Sequence, residues 1–221
     1  MWDVLPTTYN HNLMLRTLLS LAAAIPLAVF GLPWCAVLLA QTWTSHLGHA
    51  GNIWPVHPLA AGLGTLISVA LMLWKKPNWF IHTTIHEFCH LLACLMLLVR
   101  PHSFSTSNGD GGAVTYQHCD PLRDTLIALA PYTMPLVLTA ALLIRRFVPG
   151  DAPWPALATG FAAFAYFHHL QGLYHNVRLN FWGKETDLAR AGRPLSLVLI
   201  SGVLMLVTAW TMHEMWTEPL R

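Results

Sequence analysis

The sequence predicts an all-α polytopic membrane protein of about six transmembrane segments, one of them broken or re-entrant, with a short β-hairpin after the third. Three observations carry this. Of 221 residues, 55% are hydrophobic and only 10% charged, a balance typical of polytopic membrane proteins. Apolar runs long enough to approach a bilayer crossing cover residues 18–40, 59–74, 79–99, 125–144, 156–173 and 195–212. Seven tryptophans, Trp43, Trp54, Trp74, Trp79, Trp154, Trp182 and Trp210, fall near the ends of those runs, where amphipathic rings prefer the membrane interface.

The first run follows Arg16 and lacks an A-x-A exit. It is also too long for a signal-peptide core, so it reads as a retained span. The loop 41–58 has no Lys or Arg, whereas Lys75-Lys76 follow the second run. The positive-inside rule therefore places the N-terminus and Lys75 in the cytoplasm. Residues 79–99 then start at the cytoplasmic face, with His86 about two helical turns from the mouth. Between the third and fourth runs, 107–112 reads Ser-Asn-Gly-Asp-Gly-Gly and is followed by Ala113-Val114-Thr115-Tyr116. A turn signal before strand formers predicts a small hairpin; a plain loop is the other reading.

Arg145-Arg146 after the fourth run agree with a cytoplasmic assignment. Arg178, Lys184, Arg190 and Arg193 do not, if the fifth run crosses fully. A broken or re-entrant fifth run resolves the conflict, because Phe167-His168-His169-Leu170-Gln171-Gly172 turns polar midway, and irregular backbone at membrane depth is tolerated where it lines a cavity. That geometry also brings Glu185-Thr186-Asp187 to the depth of His86. The chain is expected to form a single membrane-embedded domain over 1–221, with N-terminal spans in 1–78 and a catalytic core in 79–213.

The formal charge of +2 comes from cations at the ends of apolar runs; it carries topology information, and no basic patch for nucleic acid remains. Cys35, Cys89, Cys94 and Cys119 form no C-x-x-C pair, so no disulfide framework is expected. No internal repeat is present.

The chemistry concentrates in His86-Glu87-Phe88-Cys89-His90. On a helix the two histidines lie at i and i+4 on one face, so both imidazoles can reach one Zn²⁺ while Glu87 stands beside it as a base. A carboxylate in an apolar run is costly and usually marks function. A polar helix face satisfied by neighbouring helices is the bland alternative. A hydrolytic zinc centre needs a third protein ligand and an open position for water. His82 lies about 12 Å along the axis from His90 and cannot share a metal with it; it reads as an interfacial residue. Asp187, His168, His169, His175, Asp120 and Asp124 are the candidates. Asp187 is preferred because it precedes a hydrophobic helix and follows the broken fifth run; its bland role is helix N-cap or first-turn acid.

HEFCH in an apolar helix, the Gly-rich segment from Gly111 to Tyr116, a following span with Pro131 and Pro135, and an Asn-then-Asp element resemble the site-2 protease family of intramembrane zinc metalloproteases. That family's second motif is typically N-x-x-P-x-x-x-x-D-G, with the Asp as third ligand and the Asn near the scissile carbonyl. Carried over, the resemblance implies Asp187 as ligand and Asn180 near the substrate. Here the spacing is one residue shorter, no Pro follows Asn180, and Leu188 stands in place of Gly. The resemblance covers roughly 79–209, and no PDZ-like domain is present.

The expected activity is zinc-assisted hydrolysis of peptide bonds in a membrane-spanning protein substrate near the cytoplasmic side, with Glu87 as general base and Asn176 or Asn180 stabilising the oxyanion. The strand around Gly112 and Val114 is expected to pair with the unwound substrate. The implied setting is the lipid bilayer of a bacterial cytoplasmic membrane. Two rivals remain: a di-iron desaturase or hydroxylase using the histidine clusters, although no H-x-x-H-H box occurs and Glu87 would be idle, and a catalytically silent membrane partner, although Glu87 is intact. A transporter is disfavoured by the lack of a repeat.

Overall fold

The computed structural model describes residues 7–50, 55–74, 79–107, 111–183 and 186–217. Lys75-Lys76, Asn108 to Asp110 and Lys184-Glu185, used above for topology and turn signals, lie outside the described residues, as does Trp54. The described residues form helices and one hairpin: α1 Thr7–Pro26, a π-turn Leu27–Gly31, α2 Leu32–Ala50, α3 Pro58–Trp74, α4 Trp79–Met96, β1 Pro101–Thr106, β2 Gly112–Tyr116, α5 Pro121–Thr133, α6 Leu136–Phe147, α7 Trp154–Asn180, α8 Asp187–Ala191 and α9 Arg193–Trp216.

The first apolar run belongs to a continuous helical stretch. Pro26 lacks an amide proton, and the chain absorbs the missing bond in the π-turn that follows instead of breaking. Its 30-residue apolar part, Thr17–His46, is hardly buried within the protein and presents Phe30 and Trp34 outward. Among the described residues this and Arg193–Trp216 are the two helices long and apolar enough to cross a membrane; counting a bent pair as one span raises the number to three. The expected six is not reached. α3 has 17 residues, while α4 and α7 carry the histidines, Glu87 and asparagines that line the internal spaces.

The break expected in the fifth run falls in the fourth. Pro135 forces Met134 out of the helical region (φ −109°, ψ 95°), so α5 stops at Thr133 and α6 leaves at 63°. The polar stretch of the fifth run stays helical throughout the 27 residues of α7, which has no proline beyond its first turn; Gly172 is covered by the His82 ring, whose Nδ1 would lie 3.6 Å from an added Cβ. The charge conflict also resolves differently from expectation. Arg145 donates to the Thr217 carbonyl (2.7 Å) and the Thr159 hydroxyl (3.1 Å), and Arg146 faces Glu214 at 3.9 Å, all at the C-terminal end of α9. Arg193, at the other end of α9, caps the Phe181 and Gly183 carbonyls at 2.7 and 2.9 Å. The two arginine groups thus occupy opposite ends of a candidate span.

Packing uses small residues. Ala162, Ala163 and Ala165 of α7 meet Leu138, Ala141 and Leu142 of α6 and Val207 of α9. α3 approaches α7 so closely that a Cβ on Gly64 would overlap the Gly160 backbone, the small-residue contact that membrane helices favour. Tyr166 and Thr208 add a hydroxyl bond of 2.9 Å between α7 and α9. The hairpin forms as expected: β2 pairs antiparallel with β1, with Val114 opposite Phe104 and Gly112 opposite Thr106.

Candidate metal centre

Each element delivers its residue for a local reason. α4 places His86 and His90 one turn apart, with ring centroids 5.0 Å from each other. Leu188 is fully buried among α5, α7 and α9 residues, and this anchor fixes the short helix α8 whose first residue is Asp187. The N-cap of α8 is Thr186, which accepts the Ala189 amide (3.4 Å) and donates to the Asn180 carbonyl (2.6 Å). Asp187 is therefore free of capping duty.

Its Oδ2 lies 3.2 Å from His86 Nε2 and 3.4 Å from His90 Nε2. Two ligand atoms bound tetrahedrally at 2.0–2.1 Å from zinc stand about 3.3 Å apart, so these separations fit a shared metal. All three ligand atoms fall within 4.8 Å of one another. His90 Nδ1 bonds the Ile127 carbonyl at 2.7 Å; as donor, Nδ1 leaves the Nε2 lone pair for a metal, the usual support behind a ligating histidine. Burial alone would raise the Asp187 pKa, but its bonds to His86 and His90 and their charges outweigh that and hold it well below the usual carboxylate range. Two imidazoles and one carboxylate make a donor set able to hold a divalent metal ion.

Glu87 is 7% exposed and the Val114 amide lies against its carboxylate. The Gly112 backbone presses so closely that a Cβ there would sit 2.5 Å from Glu87 Cγ. Gly112 and Val114, Asn176 and Asn180, Glu87 and the three ligand residues all line one cavity of about 400 Å³. Among the described residues no strand pairs with the second edge of β2.

The other ligand candidates have different surroundings. Asp120 caps α5, accepting the Leu122 and Arg123 amides at 3.1 Å. Asp124 takes Arg190 through two bonds, one of 3.1 Å from Nε, and the Tyr116 hydroxyl at 3.1 Å. His168 and His169 line a separate space of about 60 Å³, while His175 lines the main cavity without joining the ligand cluster. His82 faces His168 at 5.0 Å between ring centroids and lines both spaces.

Sequence reasoning missed two residues. Arg190 lies over the Tyr116 ring at 5.2 Å and, through Asp124, ties α8 to α5 and β2. Its i+3 spacing from Asp187 was the available signal. Tyr132 is 1% exposed and meets the His86 ring edge-on at 5.6 Å; nothing in its apolar run marks it. Comparison with protein-family models, curated proteins and solved structures gives no match.

Proposed function

We propose that this chain is an intramembrane zinc metalloprotease that hydrolyses peptide bonds of a membrane-spanning protein substrate near the cytoplasmic side. The observation that carries the reading is one cavity in which His86 and His90 Nε2 meet Asp187 Oδ2 at metal-like separations with the Glu87 carboxylate next to them. His86, His90 and Asp187 would hold the metal; when bound, zinc supplies Lewis acidity that lowers the pKa of water and polarises a carbonyl. Glu87 accepts the proton of the attacking water and returns it to the leaving amine. Asn176 and Asn180, on the last turns of α7, are the amide donors available to a developing oxyanion.

A helical substrate hides its scissile bonds, so it must unwind and present an extended strand. The edge of β2 that pairs with no described strand borders the cavity and can pair with such a strand. Arg190 lines the cavity and Arg193 begins α9, whereas Arg145 and Arg146 meet the other end of that helix. Positive-inside counting orients the site toward the cytoplasm, and a bacterial inner membrane is the setting we assign. The di-iron alternative is less well supported: among the described residues one ligand cluster forms, and His168 and His169 stand outside it.

The test is Glu87→Gln in detergent-purified or reconstituted protein. Unwinding-prone transmembrane peptides are incubated in H₂¹⁸O, and new C-termini carrying ¹⁸O are counted by mass spectrometry. Wild type should generate them and Glu87→Gln should not, with about one zinc per chain in both. Full activity in the variant would refute the mechanism.

A further inference from the structure

We infer that Tyr132 is a positioning residue for the third metal ligand, its hydroxyl donating a hydrogen bond to the Asp187 carboxylate when that carboxylate engages a metal. The inference rests on the zinc reading of the same site. Tyr132 is the next-to-last residue of α5, 1% exposed, and its ring packs with Leu173 of α7 and Leu188 of α8. A phenylalanine would fill that space equally well, so packing does not account for the oxygen. The hydroxyl is fully enclosed and makes no hydrogen bond of normal geometry, an arrangement proteins rarely keep without a use. Its polar neighbours are Asp187 and Asn180.

The distribution of bonds on Asp187 shows what is missing. Oδ2 faces both histidines at 3.2 and 3.4 Å, while among the described residues Oδ1 takes no hydrogen bond of normal geometry. A ligating carboxylate normally has a donor on its second oxygen, and losing such a donor typically weakens metal binding 10–100-fold. α5 already supports one ligand through the Ile127 carbonyl and His90 Nδ1 (2.7 Å). Tyr132, five residues further along the same helix, extends that support to Asp187. Because the hydroxyl does not line the main cavity, it acts through Asp187 and not on substrate.

The experiment uses the full chain purified in detergent and compares wild type with Tyr132→Phe. Zinc affinity is measured by competition with a chromophoric chelator, the visible spectrum of the Co²⁺-loaded protein reports ligand geometry, and thermal unfolding of the metal-free protein controls for structure. The variant should bind zinc about 10–100-fold more weakly, with an altered cobalt spectrum and an unchanged metal-free melt. In an Asp187→Asn background, which keeps the tyrosine environment, Tyr132→Phe should add no further loss, because the two act as one unit. Zinc affinity within twofold of wild type with the same cobalt spectrum overturns the proposal, as does an equal loss in the Asp187→Asn background. A wild type that binds zinc tightly but cleaves no peptide sinks the protease reading and leaves Tyr132 in place; a wild type that binds neither metal sinks both.

Discussion

Gly112→Ala isolates the placement of the general base from metal binding. The Gly112 backbone is not at positive φ, so alanine is conformationally allowed and the effect is steric. An added Cβ would stand 2.5 Å from Glu87 Cγ, 2.9 Å from the Ser105 carbonyl and 2.9 Å from Thr83 Cγ2. Restoring ordinary contact requires about 0.9 Å at Glu87 and about 0.5 Å at both the Ser105 carbonyl and Thr83 Cγ2, taking 3.4 Å as the ordinary limit. Glu87 carries the largest share of the displacement, because Ser105 belongs to β1, the pairing partner of β2. A displacement near 1 Å of a reacting group costs about 10²-fold in rate, or about 2.7 kcal/mol in the barrier. Complete loss of a general base costs typically 10²–10⁴-fold, which sets the upper bound. The assay is ¹⁸O incorporation into new C-termini beside elemental zinc analysis. The expected result is kcat reduced about 10²-fold with zinc unchanged; a variant with full zinc and more than about a third of wild-type kcat would refute the reasoning.

Asp187→Ala should lose most bound zinc by elemental analysis, whereas His168→Ala and His169→Ala should keep about one per chain, since both residues lie outside the ligand cluster. Chelator treatment of wild type should abolish hydrolysis, with recovery on adding zinc. Gly64→Ala and Gly62→Ala, two residues apart on α3, should differ in sign: the first meets the Gly160 backbone and should lower the melting temperature in detergent, the second meets nothing within 4 Å and should be neutral or gain about 0.5–1 kcal/mol. Arg190→Gln should weaken zinc binding several-fold by releasing Asp124 and Tyr116 from α8. The effect stays moderate because the arginine is 43% exposed.

His86, Glu87 and His90 were legible because a helical period of 3.6 puts i and i+4 on one face whatever surrounds them. The hairpin was legible from turn chemistry, and Asp187 from its position at the start of an apolar helix. The break was misplaced because polarity was read as irregularity. α7 keeps its helix through His168, His169 and Gln171, since polar side chains do not interrupt the backbone, while Met134-Pro135 supplies the covalent constraint that ends a helix. A charge count also cannot see that Arg145 is buried, with Thr159 and Thr217 receiving its guanidinium.

What the sequence by itself determined is local: apolar runs, the i, i+4 histidine pair, the proline at residue 135 and the glycines before β2. Each follows from covalent geometry or from side-chain spacing within one element. Only tertiary structure decided that Asp187 stands 3.2 and 3.4 Å from the two histidines, that Gly112 closes on Glu87, and that the Tyr132 hydroxyl is enclosed beside the site. Those are distances between elements, set by how Leu188, the alanines of α7 and the Arg190–Asp124 pair bring separate helices together, and no single stretch of chain contains them.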